Sequence, residues 1–211
     1  MEQTARMKDI VVVAFDCDGV MFDTRVANME YYNRVLNHFG RPGMTPEQFS
    51  FAHVHTADET TAYLFEDEKS FESAQRFRKS MSYLPFLKYM EIEPNLKPLL
   101  EKLRPLYKTA VATNRSDTMD RVIAEHDLTG YFDLVVSSSD VKRPKPEPDV
   151  LVRVLEHFGA EPRRAVYIGD SELDEKAARA AGIHFVAYGN PSLSADYHIK
   201  SLKEVEDILD G

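Results

Sequence analysis

Residues 9–15 constrain this chain more than any other feature: an apolar, β-branched run of strand length, followed at once by Asp16-Cys17-Asp18-Gly19. A half-exposed strand alternates polar and apolar residues, and this run does not, so it is predicted to be buried on both faces. Strands covered on both sides belong to parallel sheets whose crossovers are helices. Comparable runs are 107–113, 132–137, Ala165–Gly169 and 183–187, with a weaker one at Tyr197–Ile199. Between them lie segments of helical spacing, 116–127, 147–158 and Glu172–Ala181. Ser201-Leu-Lys-Glu204 is a capping-box pattern that opens a last predicted helix over 202–209. The alternation predicts an α/β fold, a parallel sheet with helices on both faces. Ligands of such sheets sit at the carboxyl ends of the strands.

Residues 23–92 break the alternation. Helical spacing covers 23–39, and a Gly40-Arg41-Pro42-Gly43 turn follows. Thr45-Pro46-Glu47-Gln48 then combines an N-cap, a proline at the first helical position and a box-closing glutamine. Further helices are expected near 58–65 and 70–82, and no strand is expected anywhere in the segment. The predicted division is therefore an α/β core, residues 1–22 and 93–211, with an inserted α-helical cap, residues 23–92, over the carboxyl edge of the sheet.

Charge narrows the partners. The 211 residues carry 26 Lys+Arg against 35 Asp+Glu, a formal net charge of −9, which disfavours a nucleic-acid backbone as ligand. The longest apolar run, residues 10–15, is far short of the roughly 20 residues of a membrane span. Residues 1–8 show no export signal, so a cytoplasmic protein without membrane association is expected. A lone cysteine, Cys17, excludes an internal disulfide and a multi-thiolate zinc site.

Where the acids fall is informative. Asp16 and Asp18 leave the first strand together and repel each other unless a cation or a shared proton compensates. Alone, the pair reads equally as an Asp–Gly surface turn. An EF-hand fits poorly, since the further ligand spacing and the closing glutamate are missing. Three other strand ends add to it. Thr113-Asn114 supplies a hydroxyl and backbone amides ahead of a predicted helix, a natural phosphate cradle. Lys142-Arg143-Pro144-Lys145 brings cations, and Gly169-Asp170-Ser171-Glu172-Leu173-Asp174 adds two carboxylates. Four polar clusters, each placed after a buried strand, form a joint pattern that structural accident explains poorly.

Asp16-x-Asp18-Gly-Val, Thr113-Asn114, Lys145-Pro and Gly-Asp170-x-x-x-Asp174, in that order and spanning nearly the whole chain, resemble the four motifs of the haloacid dehalogenase-like hydrolases. The helical insert and Val-Ala-Thr113-Asn114-Arg115-Ser116 resemble the phosphoglycolate phosphatase-like branch. The resemblance implies a Rossmann-like core and a phosphatase that acts on a small phosphorylated metabolite. By it Asp16 is the nucleophile that forms an aspartyl-phosphate, and Asp18 is the acid and base. Thr113, Asn114 and Lys145 hold the phosphate. Mg²⁺ is bound by Asp16, the main-chain carbonyl of Asp18, Asp170 and Asp174, the last directly or through water.

A β-phosphoglucomutase-like mutase uses the same core and remains the alternative, although Thr113 stands where the mutases have serine. A phospho-receiver would place adjacent acids after the first strand and has no room for the insert. Dehalogenation has no use for Asp18, because no alkoxide needs a proton. Oligomeric state is left open between monomer and homodimer. Other positions are ambiguous at this level. Cys17 is expected to pack into the core. His53 and His55 face either substrate or solvent, Arg115 either the crevice or Asp117, and Arg143 either the crevice or the surface. Phe71, Phe77, Tyr83 and Phe86 are expected to pack within the insert. Pro144, Pro146 and Pro148 are expected to stiffen the loop that carries Lys145.

Overall fold

The computed structural model describes residues 7–116 and 118–210, apart from the side chains of Lys8, His53 and Val54. The segment 1–6, where no export signal is expected, the side chain of His53 and the expected partner Asp117 lie outside the described residues.

Six strands form one parallel sheet: β1 (Val12–Phe15), β4 (Lys108–Ala112), β5 (Leu134–Val136), β6 (Ala165–Gly169), β7 (His184–Tyr188) and β8 (Tyr197–Ile199). Their order is β5-β4-β1-β6-β7-β8. The chain therefore winds outward from β1 in one direction and then, from β6, in the other. The strand order reverses between β1 and β6, and a crevice opens at the carboxyl ends of strands at such a point. Register places Phe15 beside both Val111 and Ile168, so three strands end side by side.

The central strands are buried throughout, as an unalternated apolar run requires. Val12, Ala14, Ala110, Ala112 and Tyr167 face α7 (Asp149–Phe158) and α8 (Glu172–Ala181) in one hydrophobic cluster. Their strand neighbours Val13, Phe15, Val111 and Ile168 are equally buried and, by the two-residue period, point the other way. Outside that cluster α5 (Leu96–Leu103) packs on β4 with four buried leucines, and α9 (Glu204–Asp210) packs on β8.

Three sequence expectations are corrected. Residues 23–92 do contain strand: β2 (Phe22–Asp23) and β3 (Glu91–Ile92) pair antiparallel, Phe22 opposite Ile92. Two-residue strands are too short to show a period, and their pairing depends on residues about seventy positions apart. Next, α6 spans only Met119–Glu125, so no helix starts directly behind Thr113-Asn114. The last helix begins at Glu204 rather than at residue 202, while Glu204 Oε1 accepts from Ser201 N at 3.0 Å as the box pattern requires.

The chain divides into two compact units, Met1–Asp23 with Glu91–Gly211, and Thr24–Met90. The second is helical: α1 (Arg25–His38), α2 (Pro46–Val54), α3 (Ala57–Leu64) and α4 (Glu68–Ser80), then a 3₁₀ segment, Leu84–Tyr89. Reciprocal capping boxes close Thr45 on Gln48 and Thr56 on Glu59. Its core is Tyr32, Val35, Leu36, Leu64, Phe65 and Ala74, with Phe71 and Phe77 packed against it. Tyr83 and Phe86 pack around Tyr31. These aromatic positions therefore pack as expected. No helix among the described residues is long and apolar enough to cross a membrane.

One glycine is demanded by packing at the mouth of the sheet. A Cβ on Gly169 would lie 2.4 Å from the Cβ of Asp174, inside any permitted contact. Gly169→Ala is expected to lower the unfolding free energy by about 1–3 kcal/mol. Val152→Ala, on the exposed side of α7, should change it by less than about 0.5 kcal/mol. Urea denaturation of the two variants checks both values.

Candidate active site

Four loops bring the predicted side chains together at the β1/β6 reversal. Asp16 directly follows β1, and its N–H continues the ladder by donating to Ile168 O at 2.9 Å. Thr113 follows β4 and is fixed in the same way, donating to Val136 O at 3.0 Å. Lys145 arrives from the loop after β5. Asp170 follows β6, and Asp174 lies in the first turn of α8, where Ser171 caps it. Strand ends with paired backbones make rigid mounts for these side chains.

Lys145 is the hub. Its Nζ lies 2.8 Å from Asp16 Oδ1 and 2.6 Å from Asp174 Oδ1, and it donates to the Tyr167 hydroxyl at 2.9 Å. Lys145 is 4% exposed, Asp16 6% and Asp174 0%, so bulk water screens none of the three. Asn114 holds the lysine's backbone. Its amide donates to Lys145 O at 2.9 Å and accepts from Lys145 N at 2.8 Å. That side chain therefore serves the loop that presents the ammonium, which the motif alone does not reveal. Asp174 Oδ2 is filled by Ser171, at 2.5 Å from its Oγ and 3.1 Å from its N–H.

The charges do not balance. Asp16, Asp170 and Asp174 place carboxylate oxygens within 4.8 Å of one another, against the single ammonium of Lys145. Burial, with the neighbouring carboxylates Asp174 and Asp18, pushes the Asp16 carboxyl up to about 7 even though Lys145 pulls it down. Burial, with Asp16 and Asp174, pushes Asp170 up to about 8. Asp174 is also opposed by burial, but Lys145, Ser171 and Tyr167 hold it below the ordinary carboxylate range. The Lys145 ammonium, surrounded by these acids, is held above its usual range despite burial.

Asp16 Oδ1 is buried with no properly directed hydrogen bond, although the ammonium lies 2.8 Å away as an ion pair. A cluster of hard oxygens that carries two excess negative charges once its carboxyls ionise, with an orphaned lone pair, suits a divalent cation such as Mg²⁺. The main chain makes room for Asp170: at Gly19 (φ +83°) a Cβ would lie 2.0 Å from Asp170 Oδ2. The residues present fit such a metal.

A family model described as haloacid dehalogenase-like hydrolase matches residues 13–188, which includes every one of these side chains. This chain belongs to the haloacid dehalogenase-like hydrolases. A hydrolase of that superfamily from Geobacter sulfurreducens, of subfamily IA, superposes with a TM-score of 0.85 at 38% identity, covering 96% of this chain and 97% of its own. A phosphoglycolate phosphatase of Chromobacterium violaceum is 28% identical over 96% of this chain and 98% of its own. A phosphorylated carbohydrates phosphatase of Thermotoga maritima is 30% identical over 84% of this chain and 83% of its own. Family membership sets aside the receiver reading.

The other predicted positions in this hydrolase divide clearly. Asp18 stands at the entrance, its side chain 37% exposed, and pairs with Arg115 rather than with the cluster. Arg143 turns to the surface and bonds Asp149 at 2.8 Å and Glu147 at 3.2 Å. Cys17 is fully buried, and burial raises its thiol well above the ordinary range, so it is no thiolate nucleophile. His55 stacks on Phe51 at 3.7 Å on an exposed turn of the helical unit. Sequence reasoning missed Tyr167, whose hydroxyl lies 2.8 Å from both Asp174 Oδ1 and Ala112 O. A tyrosine in a strand otherwise buried and apolar, two residues before Gly169, was the available signal, because a buried phenol needs a partner.

Asp16 and Asp170 bind protons more tightly in the folded chain than in the unfolded one. Their stabilising protonation is complete below the unfolded value of about 4 and is lost as pH rises through the folded values of about 7 and 8. In chelator, the unfolding free energy of the wild-type chain should therefore fall relative to Asp170→Asn between about pH 5 and about pH 9. Excess Mg²⁺ should flatten that drift. Urea titrations of both proteins across this range check the sign.

Proposed function

We propose that this hydrolase cleaves phosphate monoesters of small metabolites, with Asp16 as nucleophile and Mg²⁺ as cofactor. The observation that carries the reading is the Asp16 carboxylate itself. It sits at a rigid strand end with an undirected buried oxygen, 2.8 Å from an ammonium that can neutralise an arriving phosphoryl group. Two relatives named as phosphatases of phosphoglycolate and of phosphorylated carbohydrates support the substrate class.

A carboxylate needs no base to become a nucleophile, only relief from repulsion by the phosphate. Asp16, Asp170 and the Asp18 carbonyl would hold Mg²⁺, with Asp174 supporting them, because its own oxygens already serve Lys145, Tyr167 and Ser171. Bound there, the ion would supply charge neutralisation for phosphate and carboxylate together.

Thr113 Oγ1 accepts from Arg115 N at 3.1 Å, which leaves the hydroxyl proton for a phosphoryl oxygen. Lys145 steadies the transferring group. Asp18 protonates the leaving alkoxide, and its carboxylate then takes a proton from the water that attacks the phosphorus of the aspartyl-phosphate. The helical unit, inserted between Asp23 and Glu91 directly downstream of the Asp16–Asp18 turn, is the part we assign to substrate choice.

The test is a phosphate-release screen over phosphoglycolate, sugar phosphates and nucleotides, with and without Mg²⁺. Turnover should require the metal, and Asp16→Asn should reduce it by more than about a thousandfold while keeping the wild-type far-ultraviolet dichroism. Substantial turnover in Asp16→Asn would overturn the nucleophile. Conversion of β-glucose 1-phosphate to glucose 6-phosphate without phosphate release would replace hydrolysis by a mutase reaction.

A further inference from the structure

Arg115 was expected either to face the crevice or to pair with Asp117. Asp117 lies outside the described residues; on the crevice side the structure places the guanidinium on Asp18, across 97 positions of sequence. Nε donates to Asp18 Oδ2 at 3.2 Å and Nη2 donates to Oδ1, so the planar fork engages both carboxylate oxygens. Nη1 donates to Thr118 Oγ1 at 3.0 Å. The backbone is held from both sides as well: Arg115 N donates to Thr113 Oγ1 at 3.1 Å, and Arg115 O accepts from Ser138 N at 3.1 Å. The arginine side chain is 7% exposed, whereas that of Asp18 is 37% exposed. A rigid, nearly buried fork therefore grips a carboxylate that would otherwise swing at the entrance. Two parallel N–H···O bonds fix the plane of a carboxylate as well as its charge, which an ammonium cannot do.

We propose that Arg115 is the positioning residue of the acid–base step, holding Asp18 in the orientation from which it passes a proton to the leaving oxygen and later takes one from water. This rests on the reading of Asp18 given above. In the first step an Asp16 oxygen forms a bond to phosphorus, the ester P–O bond breaks, and its electron pair stays with the leaving oxygen. That oxygen receives the Asp18 proton. In the second step the Asp18 carboxylate takes a proton from water as the water oxygen bonds to phosphorus, Asp16 departs as a carboxylate, and Asp18 is again protonated. Arg115 is given no contact with phosphorus, the leaving oxygen or the attacking water in either step. It acts through Asp18, and Thr113 and Thr118 tie it to the phosphate side of the site.

Two probes of similar shape separate this role from phosphate binding. p-Nitrophenyl phosphate releases a phenolate that needs no proton, and benzyl phosphate releases an alkoxide that does. With the Mg²⁺-loaded enzyme, Arg115→Met should lower kcat/KM for benzyl phosphate on the order of a hundredfold and leave that for p-nitrophenyl phosphate within about threefold. For p-nitrophenyl phosphate, kcat and KM should fall together, with a burst of nitrophenolate as phosphoenzyme accumulates. Arg115→Lys, which keeps the charge but not the fork, should recover only part of the loss, and its thermal unfolding shows whether the fold is kept.

An equal fall in kcat/KM for both probes with raised KM would overturn the proposal in favour of a phosphate contact. Unchanged kinetics in a folded Arg115→Lys and Arg115→Met pair would reduce the contact to a structural one. Failure of the underlying reading looks different: the wild-type enzyme would release phosphate from neither probe, or Asp16→Asn would retain turnover.

Discussion

Lys145 carries a full positive charge into a region almost closed to water, and the site depends on what surrounds it. An isolated ammonium at such a depth would lose its proton or leave for solvent. Here Asp16, Asp174 and the Tyr167 hydroxyl lie within 2.6–2.9 Å of Nζ. Each partner is in turn fixed by its element: Asp16 by the β1 ladder, Asp174 by the α8 cap, and Tyr167 by its place in β6 and its contact with Ala112 O. Removing one member of a buried ionic group leaves an uncompensated charge, so such groups are held as units.

That unit is deliberately unbalanced in charge. One ammonium among three carboxylates leaves the oxygens of Asp16 and Asp170 short of cation, and their raised carboxyls express the shortage. The net charge of −9 at first argues only against polyanionic partners. Its concentration at one strand-end crevice carries a sharper meaning. Three carboxylates gathered there suit a cation, which in the proposed reaction precedes a small phosphate. Asp18 raises Asp16 from outside the three-carboxylate cluster and pairs with its own arginine, so two carboxylates two residues apart take different electrostatic roles.

Much of this is legible in the sequence, and the boundary of legibility has a physical cause. The buried strands announce themselves by unbroken apolar runs, and helices in the insert by their caps, because both are local signals. Asp16, Thr113, Lys145 and Asp170 are visible because each follows a strand whose end is itself visible. Features that depend on distant pairing are not. Phe22 and Ile92 become strand only by meeting across the insert, and Arg115 finds Asp18 from 97 positions away. Asn114 has the composition of a phosphate cradle, yet its amide closes on the Lys145 backbone, a contact set by how β4 and the loop after β5 lie together. The start of α6 at Met119 is a further case, since the residues after Thr113 are spent on Asp18, Ser138 and Lys145 before helix can begin.

The central claim is that this arrangement makes Asp16, and no other carboxylate of the crevice, the group that takes the phosphoryl. The most direct measurement quenches the Mg²⁺-loaded enzyme in acid during turnover, reduces it with borohydride and reads its peptides by mass spectrometry. Borohydride converts a phosphorylated aspartate to homoserine, and the account predicts that change at position 16 alone. Homoserine at position 18, 170 or 174, or none at 16 in an Asp18→Asn variant that traps the intermediate, would contradict it.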